Sequence, residues 1–461
     1  MSEIKPIETS EQPDTIVAPA TSREPGAVAI LRISGAQAAD VLSLCFKPRG
    51  SHAPTARPRR LIHGVAVSPT GEEIDDCLAV WMPGPNSFTG ENVAEIQGGG
   101  PAITDAVMSA AITAGARPAQ PGEFTRRAFL NGKMDLAQAE AVADLVVART
   151  DLARRLALRQ LRGGLSQRIE GIREVVIDVG AEIEAALDFP EEDIISESVE
   201  RLTARIQESH QALQSMLDGF SKARLVREGA RVVLAGKPNA GKSSLFNALV
   251  GQERAIVTPH PGTTRDTIES TVDLDGLPVK YIDTAGVRDA RDEIEQLGIQ
   301  RTNEAMESAD LVLHVIDSTQ EKPSHTLPIP FTPDLPADRV LTVWNKMDLE
   351  ASSNFMPKDG GFAISAKTGS GLASLESAIR NSLLGTAQAE DLALAGERHA
   401  KCVREATEAL ARAEVALQKV LGGELVMIDL RGAILSLGEL LGIQTGEEVL
   451  DRVFSRFCLG K

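Results

Sequence analysis

The spacing of hydrophobic and polar positions changes character along the chain. From about Asp14 to Leu130, short β-branched runs (TIVAPA, VAILRIS, CLAVWMP, VAEIQ) are broken by glycine and proline clusters such as MPGPNSFTG and QGGGP, and the helix-like ITDAVMSAAITAG follows. Short apolar runs between turn residues predict strands, so residues 14–131 read as a mixed α+β domain. From Met134 the apolar residues recur three and four apart, in DLAQAEAVADLVVARTDLARRLALRQL and IEGIREVVIDVGAEIEAALDF. That spacing predicts bundle helices over 132–227, and the same texture returns over 387–461 in LALAGERHAKCVREATEALARAEVALQKVL. Between them, over 228–386, the strand-length runs RVVLAG, ESTVDLD, VKYIDTAG, LVLHVID, VLTVWNK and GFAIS alternate with helical segments. Alternation of this kind predicts a mostly parallel sheet with helices on both faces, in a domain inserted between the two halves of a helical bundle. His314, inside LVLHVID, reads as a core histidine rather than a ligand.

Length and composition fit this picture. A chain of 461 residues exceeds what one core sustains. No apolar run approaches the roughly 18 residues of a membrane span, so no membrane association is expected. The opening MSEIKPIETSEQPD lacks a basic start and an apolar core, so residues 1–13 read as a disordered tail and not as a secretory signal. Cys45, Cys77, Cys402 and Cys458 show neither CxxC pairs nor dense spacing, which suits a reducing cytoplasm. A net charge of −17 excludes nucleic-acid binding through a generally basic surface; an RNA substrate needs a local basic patch or a partner.

The chemistry concentrates in the inserted domain. RVVLAG runs into GKPNAGKSS and then SLFNALVG, a GxxxxGKS loop between a strand and a helix. Gly236 and Gly241 let the backbone amides of Asn239, Ala240, Ser244 and their neighbours curl around phosphates; Lys242 reaches the β and γ oxygens and Ser243 offers Mg²⁺ a hydroxyl. Downstream, DTAG (Asp283, Thr284, Ala285, Gly286) suits a carboxylate holding a Mg²⁺ water and a glycine amide sensing the γ-phosphate, and GTTRD offers Thr264 as a second Mg²⁺ ligand. In NKMD, the carboxylate of Asp348 accepts both the ring N–H and the exocyclic amine of guanine, with Asn345 and Lys346 bracing the loop. SAK (Ser365, Ala366, Lys367) closes over the base, so the four motifs define a guanine-nucleotide site.

Hydrolysis needs an oriented water and stabilised transition-state charge. The residue after DTAG, where Ras-like proteins carry a glutamine, is Val287, whose side chain cannot orient water. Help must come from elsewhere. Asn239 and the hydroxyl- and carbonyl-rich AIVTPHPGTT suit a large monovalent cation in place of an arginine finger. Glu293 and Glu295 place carboxylates within reach of the attacking water, although a solvated helix face explains either one alone.

ILRISG, PGPNSFTGE, PGEFTRRAFLNGKMDLAQAEAVADL, GKPNAGKSSLFNAL, GTTRD, DTAGVR and the terminal FCLGK together resemble the tRNA-modifying GTPase family called MnmE or TrmE, over nearly the whole chain. The resemblance implies an N-terminal tetrahydrofolate-binding and dimerisation domain, a discontinuous helical bundle and an inserted Ras-like P-loop GTPase domain. It assigns the folate, a 5-formyl- or methylene-tetrahydrofolate, to Arg32, Glu95, Lys133 and Lys461. It puts K⁺ on Asn239, Thr258, Thr263 and the main chain of His260, Mg²⁺ on Ser243 and Thr264, and water orientation on Glu295. It implies a homodimer that works with an MnmG-type flavoprotein, FAD being carried only by that partner, to place a carboxymethylaminomethyl or aminomethyl group on carbon 5 of the wobble uridine of certain tRNAs. QGGGPA departs from the GHGG of many members, which removes any role for that histidine here. A GTP-dependent scaffold without one-carbon chemistry is the alternative; it calls for an appended basic RNA-binding module, which the chain does not display.

The tail FCLGK raises its own question. Gly460 and Lys461 after Cys458 fit a prenylation signal poorly. EEVLDRVFSRF reads as a last amphipathic helix anchored by Val449, Leu450, Val453, Phe454 and Phe457, with Gly460 releasing the final turn toward a ligand. Cys458 is then either a thiol activated by Lys461 or Arg456 as nucleophile or acid, or a small buried cysteine that packs.

Overall fold

The computed structural model describes residues 14–188, 195–251, 268–283, 304–320, 335–349, 361–385, 396–419, 422–458 and 460. The chain forms two compact units, one comprising Met1–Val146, Arg159–Ser209 and Glu405–Lys461, the other Val147–Leu158 and His210–Arg404.

In the first unit the four predicted strand runs form β1 (Ile16–Pro19), β2 (Ala29–Ser34), β5 (Glu73–Met82) and β6 (Val93–Gly98), and three strands that were not predicted, β3 (Phe46–Pro48), β4 (Ile62–Val67) and β7 (Arg117–Pro118), complete a seven-stranded sheet in the order β3-β4-β5-β6-β2-β1-β7. All neighbours are antiparallel except β1 and β7. Alternation along a strand decides which residues meet which layer. Val17, Leu31, Ile33, Ala94 and Ile96 face the helices Ala38–Cys45 and Pro101–Thr113, whose Val41, Leu42, Val107 and Ala111 complete one core. Ile16 and Ala18, one step out of phase, face the helix Glu123–Leu130 through Phe124. The edge strands β3 and β7, and β4 beside β3, are short or punctuated by glycine and proline, and their patterning is correspondingly weak.

The helical part of this unit joins distant segments of chain. The apolar run from Leu136 divides into Leu136–Val147 and Asp151–Leu161, the stretch Val147–Leu158 belonging to the second unit, and the Thr150 hydroxyl accepts the Ala153 N–H at 3.3 Å at the break. Gly164–Asp188 lies against Gly423–Leu441, with Arg431 pairing Glu184 at 3.2 Å, and Gln207 donates to Glu414 at 2.5 Å. The last helix, Glu447–Phe454, buries Leu450, Val453 and Phe454, together with Phe457 beyond it, on Leu136, Ala139 and Val142. Eight residues make too short a helix to stand alone in water, whereas each such side chain contributes roughly 1.5 to 3 kcal/mol on burial. Packing is therefore what holds the tail.

The second unit contains β8 (Ala230–Ala235), β9 (Ile268–Leu274), β10 (Leu277–Asp283), β11 (Leu311–Asp317), β12 (Val340–Asn345) and β13 (Phe362–Ala363), in the order β13-β12-β11-β8-β10-β9. Only β9 runs antiparallel, joined to β10 through the two-residue turn Asp275-Gly276. The central strands β8, β10 and β11 are buried on both faces, as parallel sheets require. On one face Val232, Leu234, Tyr281 and Leu313 meet Leu245 and Phe246 of the helix Lys242–Val250 and Leu375 and Ile379 of Leu372–Leu384. On the other, Val233, Ile282 and Val312 meet Met306 and Ala309. His314 is buried within β11, as its apolar neighbours predict. Chain order reverses about β8, which has β10 on one side and β11 on the other, so a crevice opens at its carboxyl end.

Candidate functional site

The phosphate loop fills that crevice. Gly236 (φ 147°) and Gly241 (φ 92°) have left-handed backbones, and a Cβ on them would overlap the Val315 carbonyl and the Asn345 amide, respectively. Asn239 also has positive φ (62°), and its side chain is exposed. Ala240 is buried, whereas Ser243 and Ser244 are exposed at the start of the helix Lys242–Val250, where unpaired amides favour an anion. Lys242 curls back, donating from Nζ to the carbonyls of Gly236 and Lys237 at 3.0 Å each, so its charge is held over the loop. Asp283 is buried at the end of β10, in register with Leu234 just before the loop.

Asn345 ties the phosphate side of the site to the base side. Its Nδ2 donates to the Ala240 carbonyl at 3.1 Å and its Oδ1 accepts the Ala366 N–H at 3.0 Å, joining the phosphate loop, the NKMD turn and the SAK loop through one amide. Lys346 pairs with Asp317 at 2.7 Å. Burial works against the Asp317 charge, but Lys346 and the Thr319 hydroxyl outweigh it and hold the carboxyl below the usual range. Ser365 donates to Asp348 Oδ1 at 2.7 Å, which likewise lowers the Asp348 carboxyl and leaves it exposed and ionised beside the SAK loop. Lys367 is exposed next to it. Thr258, His260, Thr263, Thr264, Thr284, Ala285, Gly286, Val287, Glu293, Glu295 and Lys461 lie outside the described residues.

On the N-terminal sheet Arg32 and Glu95 are direct cross-strand partners. Their Nε–Oε1 distance is 2.9 Å, with side chains only 19% and 13% exposed. The Arg32 guanidinium lies 5.4 Å from the centroid of the Phe88 ring and 5.9 Å from that of Phe124. Lys133 donates to the Pro85 carbonyl at 3.0 Å, on the same loop that carries Phe88. The loop that carries Pro85 and Phe88 thereby borders both Lys133 and Arg32, and Arg32 and Glu95 are largely buried against each other.

Below them lies a network not foreseen from sequence. Arg127 donates to the Asp14 carbonyl (2.8 Å) and carboxylate (2.7 Å), to Glu123 (3.0 Å) and to Glu91 (3.2 Å), and Glu91 also accepts from Ser34 at 2.7 Å. Arg117 also pairs with Asp14 and Glu123; burial works against the Glu123 charge, but Arg117 and Arg127 outweigh it, and the same two guanidiniums hold Asp14 below its usual range. Loop Pro83–Glu91 and helix Glu123–Leu130 are thus pinned together, which places Phe88 and Phe124 beside Arg32. PGPNSFTGE and PGEFTRRAFLNGK were the available signals, but which of the adjacent Arg126 and Arg127 turns inward depends on how the helix docks.

The tail approaches the same sheet. Gly460 (φ 86°) is buried against the end of β1, where a Cβ would overlap the Pro19 carbonyl; Pro19 follows Ala18, the register partner of Arg32. Cys458 is exposed, because neighbouring Phe457 takes the inward position. The buried, merely packing cysteine is therefore not what the fold provides.

A doubly covered parallel sheet with a phosphate loop at its switch point, and an Asp348–Ser365 pair at the base position, defines a P-loop GTPase. Residues 136–458 match the MnmE helical domain model, and residues 15–133 match the model for the GTP-binding protein TrmE N-terminus. A tRNA modification GTPase MnmE of Symbiobacterium thermophilum is 45% identical over 97% of this chain and 99% of its own. Those of Natranaerobius thermophilus (38%; 97% and 99%) and Aquifex aeolicus (39%; 97% and 100%) are similar throughout as well. The chain belongs to the MnmE family of tRNA modification GTPases, and so is a GTP hydrolase acting in tRNA modification. No helix among the described residues is long and apolar enough to cross a membrane.

Proposed function

We propose that this chain couples potassium-dependent GTP hydrolysis to the placement of an aminomethyl or carboxymethylaminomethyl group on carbon 5 of the wobble uridine of certain tRNAs. The observation that carries the one-carbon half is the Arg32–Glu95 pair beside Phe88 and Phe124. A pterin offers an amine and ring N–H to a carboxylate, a carbonyl to a guanidinium and a flat face to a phenyl ring, so the residues fit a 5-formyl- or methylene-tetrahydrofolate. Lys133 and Lys461 suit its glutamate tail, and the bound folate supplies the one-carbon unit. Cys458 would act on substrate as nucleophile or acid, a reading supported by its exposure close to the buried Gly460. An MnmG-type flavoprotein supplies the FAD-dependent redox step.

In the GTPase domain Ser243 and Thr264 suit Mg²⁺, and Asn239, Thr258, Thr263 and the His260 carbonyl suit K⁺, whose charge would serve in place of an arginine finger. The exposed Ser243 hydroxyl at the helix start and the exposed Asn239 amide are compatible with both. Glu295 orients the attacking water, the role that Val287 leaves open. Hydrolysis then drives the two GTPase domains of a homodimer together and apart in the cytoplasm. Glu295→Ala is expected to bind GTP and hydrolyse it far more slowly, and Na⁺ in place of K⁺ to lower the rate; undiminished turnover in either case refutes the corresponding assignment. Titration of the full chain with 5-formyl-tetrahydrofolate tests the other half: Arg32→Ala binding it as tightly as the parent refutes the folate site.

A further inference from the structure

The fold carries a cationic surface that neither the GTP site nor the Arg32–Glu95 site uses. From Val41 to Gly71 the chain has no aspartate or glutamate, yet it carries Lys47, Arg49, Arg57, Arg59 and Arg60, in a protein of net charge −17. All five are exposed. Lys47 lies on β3, the terminal strand of the sheet, and the arginines lie on the excursion between β3 and β4. Arg49 is neutralised by Asp76 at 2.9 Å, whereas Lys47, Arg57, Arg59 and Arg60 have no carboxylate partner among the described residues. A lysine on an edge strand guards against sheet-to-sheet pairing, which accounts for Lys47 alone. Arg57, Arg59 and Arg60 stand outside the ladder, and edge protection does not explain them.

The excursion is built to hold its charges in place. Pro48, Pro54 and Pro58 restrict its backbone, Pro54 is buried, and a single 3₁₀ turn spans Pro54–Ala56. Arg59 has a left-handed backbone (φ 60°); its N–H donates to the Trp81 carbonyl at 2.7 Å and its guanidinium to the Asn86 carbonyl at 2.9 Å. This ties the excursion to the Pro83–Glu91 loop that carries Phe88. The basic edge is therefore contiguous with the loop bordering the candidate one-carbon site.

We infer that Lys47, Arg57 and Arg60 form a contact surface for the phosphodiester backbone of the tRNA substrate, beside the site at which its base is modified. The placement next to the one-carbon site rests on the proposed folate reading; the RNA contact itself does not, and its test omits folate. Charge complementarity selects the occupant. A tRNA is a polyanion that the rest of this acidic chain repels, and guanidinium groups match phosphate oxygens in geometry as well as charge.

The test uses the full chain with the triple variant Lys47→Ala/Arg57→Ala/Arg60→Ala, sparing Arg59 because it braces the loop and Arg49 because it is paired. Binding of unmodified tRNA is measured across a salt series without folate or GTP. Each lost phosphate contact lowers the slope of log affinity against log salt by about one, so the slope is expected to fall by about 2 to 3 and affinity at moderate salt by about tenfold or more. GTP hydrolysis and melting temperature stay unchanged. A control with the same loss of charge on the helices, Arg201→Ala/Arg412→Ala/Arg431→Ala, keeps the parental slope. An unchanged slope in the first variant, an equal fall in the control, or no tRNA binding by the parent at low salt overturns the inference. Unchanged tRNA binding with weakened association to a flavoprotein partner also overturns it and reassigns the surface to protein.

Discussion

Replacing Asn345 with alanine tests the central geometry of the nucleotide site. Its amide is 2% exposed and is the joint between three loops. Truncation leaves the buried Ala240 carbonyl and the half-buried Ala366 N–H without partners. An unsatisfied buried group costs about 1 to 3 kcal/mol, so about 2 kcal/mol at Ala240 and about 1 at Ala366, where water has access, is a reasonable division. Without the tie the three loops separate in the free variant, and gathering them again on binding withdraws this sum of about 3 kcal/mol from nucleotide affinity, a roughly 150-fold loss. Fluorescent GDP and GTP analogues titrated into the full chain read this directly, with a melting curve to show that the variant is folded. Both nucleotides weaken by the same factor, because the tie lies away from the γ-phosphate. A loss below about fivefold, or one confined to GTP, refutes the reasoning. Gly241→Ala supplies a second check: its Cβ would displace the same amide, so it costs less in the Asn345→Ala background than in the parent.

Asp348→Asn turns an acceptor toward guanine's N–H groups into a partial donor, so preference should move from guanine toward xanthine nucleotides, as competition binding will show; retained guanine preference contradicts the assignment. The Ser365 hydroxyl holds the Asp348 carboxyl below its usual range. Guanine affinity is thus present above that range and lost as pH falls through the folded value, and in Ser365→Ala, where the carboxyl returns upward, the loss begins at higher pH. Superimposable affinity profiles between about pH 3 and 6 would exclude this effect. Gly460→Ala drives a Cβ into the Pro19 carbonyl at a left-handed backbone, so the tail lifts from β1. Wobble-uridine modification is expected to drop while GTP hydrolysis holds; nucleoside analysis showing normal modification would mean that the tail contact is dispensable.

Strands β8, β10, β11 and β12 were legible because strands buried on both faces must be apolar almost throughout, and the phosphate loop because its amides must curl where glycine permits. The guanine assignment of Asp348 was equally legible, being a matter of which atoms accept and which donate. The last helix was readable from Leu450, Val453, Phe454 and Phe457, whose spacing suffices to mark a buried face. The edge strands β3 and β7 escaped, since strands of three and two residues carry too little pattern to distinguish from turns.

What local sequence determined about this protein is everything that depends on one segment's own periodicity and donor pattern: the alternation of elements, the nucleotide motifs, and an acidic chain with no general affinity for RNA. Tertiary structure alone decided which charges meet. It paired Arg32 with Glu95 across β2 and β6, turned Arg127 inward and Arg126 out toward Glu447 and Asp451, exposed Cys458 while burying Phe457 and Gly460, and set Arg59 on the loop that carries Phe88. Those outcomes depend on strand register and on the rotation of each helix against its support. Both are fixed by contacts between residues far apart in the chain, which no single segment encodes.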